Sequence, residues 1–252
     1  MTPFSGVYRL VVPAFNEAAN LPSLLERVAA ALAGKSYFAI VVDDGSADGS
    51  AAVVEGLARR FPVRLLRHER NRGIAATFLT GLRAAAADAA DADAIVIMEG
   101  DGTSDPALLP ALGEALESGA DVAIASRHVP GGAYRRFPLK RLLLSRAANF
   151  LLRRLCPLPG ASDFTIFYRA YRAGPLKRAL GAYGDRFTSV GGFACNAEML
   201  LRLAPFIGRV VEVPFVYDYG VKRGASAMRI GGNLLSYAAL FRVHFFDRAE
   251  RE

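Results

Sequence analysis

Tryptophan is absent from the 252 residues, cysteine occurs twice and histidine three times. Each scarcity removes a class of function. Cys156 and Cys195 lie far apart in unrelated contexts, so neither a disulfide framework nor a zinc knuckle can be built from them, and both are expected to be buried free thiols in a reducing compartment. His68, His128 and His244 have no triad-like or metal-like spacing and are expected to be surface or structural residues. No Gly-x-Gly-x-x-Gly follows the first apolar run and no Gly-Lys-Ser/Thr occurs, which takes away the usual footholds of dinucleotide and P-loop chemistry. The longest late stretch without a charge, Ile230 to Phe241, is 12 residues. Crossing the hydrocarbon of a bilayer takes roughly 20 residues of helix. Met1 to Tyr8 lacks the basic start and apolar core of a secretory signal, so a cytoplasmic protein is expected.

What is present reads as one folded unit: 52% of residues are apolar and no low-complexity tract or linker interrupts them. Charge is distributed unevenly. Residues 1–126 carry 10 Lys/Arg against 16 Asp/Glu, a net of −6, whereas residues 127–252 carry 21 against 8, a net of +13. Between Asp121 and Asp163 there is no acidic residue, and Arg127, Arg135, Arg136, Lys140, Arg141, Arg146, Arg153 and Arg154 fall in that interval. A polyanion is expected to meet it. A nucleic-acid module does not fit, because the basic residues are not interleaved with aromatics and the first half is acidic.

Five short apolar runs, Tyr8 to Val12, Tyr37 to Val42, Val63 to Leu66, Ala94 to Met98 and Val122 to Ala125, alternate with helical stretches such as Asn20 to Ala33 and Thr77 to Ala87. That alternation predicts an α/β fold with a mostly parallel central sheet flanked by helices. After Ser126 the pattern changes to a basic loop, a helix over Leu139 to Leu155 and a strand over Asp163 to Arg169. A helix near Ala194 to Leu203, a strand near Arg209 to Val216 and a C-terminal amphipathic helix over Asn233 to Phe246 follow. Ligands of open parallel sheets bind beyond the carboxyl ends of the strands, so the loops there carry the chemistry.

Three of those loops are polar. The first strand runs into Val12-Pro13-Ala14-Phe15-Asn16-Glu17, where an amide, a carboxylate and an aromatic can hold a nucleobase or simply begin a helix. The second strand ends in Asp43-Asp44-Gly45-Ser46, which can accept hydrogen bonds from a base or ribose, or form a capped turn. The fourth ends in Met98-Glu99-Gly100-Asp101-Gly102-Thr103-Ser104-Asp105-Pro106; carboxylates at alternate positions beside glycines suit a hard divalent cation held against a diphosphate. Asp105 is accounted for by capping the helix that begins at Pro106.

These loops, with Asn71-Arg72-Gly73-Ile74-Ala75 and Ala125-Ser126-Arg127, resemble the family 2 glycosyltransferases of the A-type (GT-A) nucleotide-sugar-binding fold. Lys140 to Asn149, then Ala161-Ser162-Asp163-Phe164-Thr165 and Tyr168 to Arg172, are similar to the branch that contains the dolichol-phosphate mannose synthases and their bacterial polyprenyl-phosphate relatives. The likeness runs over about residues 7–241. It implies a single domain, with 1–126 as the nucleotide-sugar half and 127–252 as a basic acceptor half with membrane-surface helices. It implies that Pro13, Asn16, Glu17, Asp43, Asp44, Gly73 and Gly100 border the donor nucleotide, and that Glu99 and Asp101 hold Mg²⁺ or Mn²⁺. Arg127, Arg141 and Ser145 then serve the donor diphosphate and the acceptor phosphate, with Asp101 at the reacting centre.

The same resemblance implies inverting transfer of mannose, or glucose, from GDP-mannose or a UDP-sugar to a polyprenyl phosphate, by an enzyme peripheral on the cytoplasmic face of an anionic membrane. Departures from the pattern are Glu99 in place of Asp, Thr103 where Gln or Ser is common, Ile166 and Phe167 in place of small residues, and Gly224-Ala225-Ser226-Ala227 without its usual lysine. Lys222 and Arg223 are the expected substitutes at the diphosphate. A hydroxyl acceptor would instead need a carboxylate base, for which Asp163, Asp185 and Glu198 are candidates. A non-catalytic nucleotide-sugar sensor is the third reading.

Overall fold

A computed structural model describes residues 3–221 and 230–249. The first half is the expected alternation: β1 (Tyr8–Ala14), α1 (Leu21–Ala31), β2 (Tyr37–Asp43), α2 (Ser50–Leu57), β3 (Val63–Arg67), α3 (Ile74–Ala87), β4 (Ala94–Ile97), α4 (Leu109–Glu117) and β5 (Val122–Ser126). The second half adds β6 (Ala133–Arg135), α5 (Leu139–Leu155), β7 (Arg169–Arg172), α6 (Ala173–Tyr183), α7 (Cys195–Leu203), β8 (Val210–Pro214), β9 (Val216–Asp218) and α8 (Ile230–Ala249). A seven-stranded sheet in the order β3-β2-β1-β4-β7-β5-β8 takes strands from both halves, and only β7 runs antiparallel to its neighbours. β6 and β9 form a separate parallel pair.

Strands buried on both faces explain the continuous apolar runs: Leu10, Val11 and Val12 of β1, Val41 and Val42 of β2 and all of β4 are inaccessible to solvent. Their parallel register places Ala14 beside Asp43 and Val11 beside Ile97, so the polar loops after β1, β2 and β4 emerge at one edge of the sheet. α3 lies directly on β1 and β2 because Gly81 has no side chain; a Cβ there would overlap Val11 Cγ1 and come within 3.1 Å of Val42 Cγ2.

Three expectations need correction. The strand predicted over Asp163 to Arg169 begins only at Arg169. Side chains rather than a neighbouring strand satisfy the preceding backbone: Asn149 Oδ1 accepts from Phe164 N–H at 2.7 Å, and Asn196 Nδ2 donates to the Ile166 carbonyl at 2.5 Å. The strand predicted over Arg209 to Val216 divides at Pro214-Phe215 between two sheets. Pro214 cannot donate to a ladder, and Phe215 bridges the two sheets, donating to Ser126 O at 2.8 Å and accepting from Ala133 N at 3.0 Å. α8 extends beyond the predicted span at both ends.

A buried ion pair ties the segment leaving β5 to the segment before β7. Arg127, at the end of β5, donates through Nε to Asp163 Oδ2 at 2.7 Å and through an NH2 group to Asp163 Oδ1 at 2.6 Å, while the Arg127 backbone N–H also reaches Oδ2 at 3.2 Å. Asp163 is fully buried. Burial alone would raise its pKa, but the Arg127 charge and hydrogen bonds hold the carboxyl well below the usual carboxylate range.

Two outcomes follow from this packing, both readable by denaturant unfolding. Asp163→Asn is expected to cost about 3–5 kcal/mol, because it strands the Arg127 charge in the interior. The same substitution should have opposite signs at two helical glycines. Gly81→Ala should destabilise by about 1–3 kcal/mol through overpacking on β1, whereas Gly56→Ala, in open space on α2, should stabilise by about 0.4–1 kcal/mol.

Candidate active site

The loops after β1 and β2 are sewn to one another. Asn16 sits in the left-handed region at φ 57°, donating from its backbone to Ser46 Oγ at 2.8 Å and accepting on Oδ1 from Ala47 N at 3.0 Å. Glu17 N donates to Ser50 Oγ at 2.9 Å, and its carboxylate accepts from Asn20 Nδ2 at 2.5 Å. The loop after β4 joins them through Gly100, where a Cβ would stand 2.9 Å from the Pro13 carbonyl and 3.6 Å from Glu17 Cγ. Pro13, Asn16, Glu17 and Gly100 are therefore neighbours.

Asp43 and Asp44 have different tasks. Asp43 is fully buried; its Oδ1 accepts from Ser46 N at 3.0 Å, while Oδ2 has no hydrogen-bond partner, the Arg67 Nε lying 3.5 Å away. Such an unsatisfied carboxylate oxygen at the end of a strand suits a ligand N–H. Asp44 is instead used by the chain itself: its carboxylate accepts from His68 Nδ1 at 2.7 Å, Arg72 N at 2.9 Å and Gly73 N at 2.8 Å. Its contribution to a ligand passes through the loop it holds. Gly73, at φ 86°, ends that loop and opens α3, with open space where a side chain would stand.

Glu99 and Asp101 are drawn together by Thr103, whose hydroxyl lies 3.3 Å from Glu99 Oε2 and 2.6 Å from Asp101 Oδ1. Ser104 Oγ receives the Glu99 N–H at 3.0 Å. The donor set is all hard oxygen, as Mg²⁺ or Mn²⁺ requires, but no group of three or more His, Cys, Asp or Glu among the described residues could hold a metal alone. The residues fit a cation that completes its shell with water and a diphosphate. Tyr217 stands beside this pair; burial, then the charges of Glu99 and Asp101, push its phenol well above the ordinary range.

Arg127, Arg141, Ser145 and Glu99 line one cavity of about 190 Å³. Arg127 lies 4.7 Å from the Tyr134 ring centroid and 5.7 Å from that of Tyr217, and Arg141 donates to Tyr219 OH at 3.0 Å. Behind Ser145 a polar cluster joins three elements. Ser145 Oγ is 2.9 Å from Thr165 Oγ1, which accepts from Arg127 at 2.7 Å and Asn149 Nδ2 at 3.0 Å. His128 completes it, 3.2 Å from Tyr134 OH, its pKa lowered by burial against the opposing pull of Asp163. Away from this charged end the cavity wall is apolar, made by Leu144, Ala148, Leu151, Phe167, Phe193 and Phe241.

Lys222 and Arg223 lie outside the described residues. Sequence reasoning missed the aromatic lining of Phe137, Tyr217 and Tyr219, although the run Phe215-Val216-Tyr217-Asp218-Tyr219 signals part of it by placing aromatics on alternate positions. The three carboxylates that a hydroxyl acceptor would recruit are all already paired with arginines. Asp163 holds Arg127, Glu198 holds Arg202 at 3.1 Å within the interior, and Asp185 pairs on the surface with Arg83 at 2.7 Å.

Comparison with known proteins agrees with this geometry. The family model described as glycosyl transferase family 2 matches residues 10–180. The polyprenol monophosphomannose synthase of Mycolicibacterium smegmatis is 34% identical over 241 residues, covering 93% of this chain and 84% of that protein. The undecaprenyl-phosphate mannosyltransferase of Micrococcus luteus is 32% identical over 231 residues, covering 91% and 90%. Among solved structures, glucosyl-3-phosphoglycerate synthase from Mycobacterium tuberculosis, crystallised with Mn²⁺, UDP and glucosyl-3-phosphoglycerate, superposes with a TM-score of 0.62 at 18% identity, covering 96% of this chain and 78% of that one. The α/β sheet is thus the GT-A architecture, and the chain belongs to glycosyl transferase family 2 and is a glycosyltransferase.

Proposed function

We propose that this glycosyltransferase moves mannose from a nucleoside-diphosphate donor to the phosphate of a polyprenyl lipid. One observation carries the reading: a single cavity is lined by the carboxylate Glu99, by Arg127, Arg141 and Ser145, and by apolar side chains that include Leu144, Leu151, Phe167 and Phe193. A lipid phosphate has matching parts, an anion and a chain. The names of the relatives in Mycolicibacterium and Micrococcus support the same acceptor class and the sugar.

In this account Asp43 Oδ2 receives a base N–H, and the loops after β1 and β2 border the nucleoside. Glu99 and Asp101 hold Mg²⁺ or Mn²⁺, which when bound neutralises the charge that develops on the departing diphosphate. The acceptor phosphate needs no strong base, since the second pKa of a phosphate monoester is about 6 and the dianion is already a nucleophile. Arg141 and the free edge of Arg127 hold that phosphate, and Ser145 donates to it, aligning one oxygen on the anomeric carbon for single displacement with inversion. The division of labour follows the charge asymmetry, with residues 1–126 serving the donor and 127–252 the acceptor.

Peripheral contact with an anionic membrane at its cytoplasmic face belongs to the same proposal. Only Asn149 and Leu152 of the 17 residues of α5 are buried, while Leu139, Leu143 and Phe150 are 68%, 58% and 64% exposed beside Lys140, Arg146, Arg153 and Arg154. A face of that composition lies in a membrane interface better than in water. No described helix is long and apolar enough to cross a membrane.

Incubation with GDP- and UDP-sugars, polyprenyl phosphate and detergent should give an acid-labile glycolipid with Mg²⁺ or Mn²⁺ and none with EDTA; donor binding without lipid product would overturn the acceptor. Asp101→Asn should lower kcat/KM by about 10²-fold or more, with nucleotide-dependent Mn²⁺ binding weakened in parallel. Flotation with phosphatidylglycerol vesicles should recover the protein, and Leu143→Ser with Phe150→Ser should release it, while neutral vesicles and high salt should weaken recovery.

A further inference from the structure

His68 is buried, and the reaction described above makes no use of it. Its ring spans two elements: Nδ1 lies 2.7 Å from Asp44 Oδ1, and Nε2 lies 3.0 Å from Thr80 Oγ1 on α3. Asp44 already accepts from two backbone N–H groups, so Nδ1 is the donor in the first contact. The His68 backbone is fixed as well, donating to the Asp43 carbonyl at 2.9 Å. The segment from His68 to Gly73 is therefore tied to the end of β2 at four points, three of them through the Asp44 carboxylate.

The tie matters because of what the segment covers. Gly45, at φ 74°, packs so closely beneath it that a Cβ would fall 2.6 Å from Arg70 C and 2.7 Å from Asn71 N. Asp43, whose Oδ2 is unsatisfied, precedes Asp44 directly. Gly73 ends the segment and exposes the first turn of α3. Loss of the imidazole would leave Asp44 with a vacant acceptor site inside the protein, and the carboxylate would turn toward other donors or water. The backbone of Arg72 and Gly73 would lose its anchor with it.

We propose that His68 is a positioning residue for donor binding: through Asp44 and Thr80 it fixes the 69–73 segment as one wall of the nucleoside pocket. The proposal rests on the reading of the β1 and β2 loops as the nucleoside end. It assigns His68 no contact with substrate and no proton transfer.

The test is calorimetric titration with GDP and with UDP, in Mg²⁺, of the full chain and of His68→Phe, His68→Asn and Thr80→Val. The unsubstituted protein should bind one of the two nucleotides. His68→Phe should weaken that binding about tenfold or more, as expected for removal of a hydrogen bond to a buried carboxylate. His68→Asn, which keeps a donor near the Nδ1 position, should recover most of it. In transfer assays the donor KM should rise with the Kd while kcat at saturating donor changes by less than about threefold. Amide exchange at Arg72 and Gly73 should accelerate in His68→Phe. Should His68→Phe not fold, Thr80→Val carries the test, with weaker nucleotide binding and faster exchange at the same two amides expected. Unaltered nucleotide affinity in the folded variants overturns the role of His68. Failure of the unsubstituted protein to bind either nucleotide overturns the nucleoside reading itself, and the two failures are told apart by that control.

Discussion

The arrangement depends on Arg127 and Asp163 meeting in the interior. Asp163 belongs to a stretch with no strand partner, and Arg127 directly follows the last strand of the regular alternation, so their bidentate contact joins two regions that the parallel sheet alone would not align. Burying two charges is costly, and the contact persists because nearly every polar atom of the pair has a partner: Thr165 on the guanidinium, the Arg127 and Thr165 backbone N–H groups on the carboxylate. Tyr134 and Tyr217 enclose the cation with their ring faces. What results is a rigid positive floor under the cavity, with its geometry set before any ligand arrives.

From that floor the site divides by charge. Glu99 and Asp101 approach from β4, Arg141 and Ser145 from α5, and the apolar wall continues between α5 and α8. Two anions must be brought together for a phosphate to attack a sugar carried on a diphosphate, and their repulsion is the main obstacle. In the proposed function, a fixed guanidinium in the same cavity as a carboxylate and a second arginine is a direct answer to it. The acidic first half and basic second half are the long-range form of the same solution.

Much of this is legible in the sequence because parallel strands buried on both faces must be continuously apolar, and loops at their carboxyl ends must not be. β1, β2, β4 and β5 follow from that rule, whereas β3 is partly exposed and α5 is a helix to which the rule does not apply. The residues around Asp163 do not, since their backbone is satisfied by Asn149 and Asn196 from distant helices, and no local pattern encodes such partners. The break at Pro214-Phe215 was written in the proline but hidden inside an apolar run. Within the site, the acidic pair and the basic helix are motifs and can be read. The different tasks of Asp43 and Asp44 cannot, because adjacent identical residues differ only in what folds against them, His68 and the Arg72 and Gly73 amides around Asp44, and the Ser46 amide with Arg67 nearby around Asp43.

We propose that one cavity holds an acceptor phosphate with its arginines independently of the donor. It is tested most directly by titrating the protein, with and without Arg141→Ala, with a short-chain polyprenyl phosphate and with the corresponding alcohol. The phosphate should bind and the alcohol should bind far more weakly, and Arg141→Ala should remove most of the difference while nucleotide affinity is unchanged. Equal binding of phosphate and alcohol, or an Arg141→Ala variant that loses nucleotide instead of lipid, would contradict it.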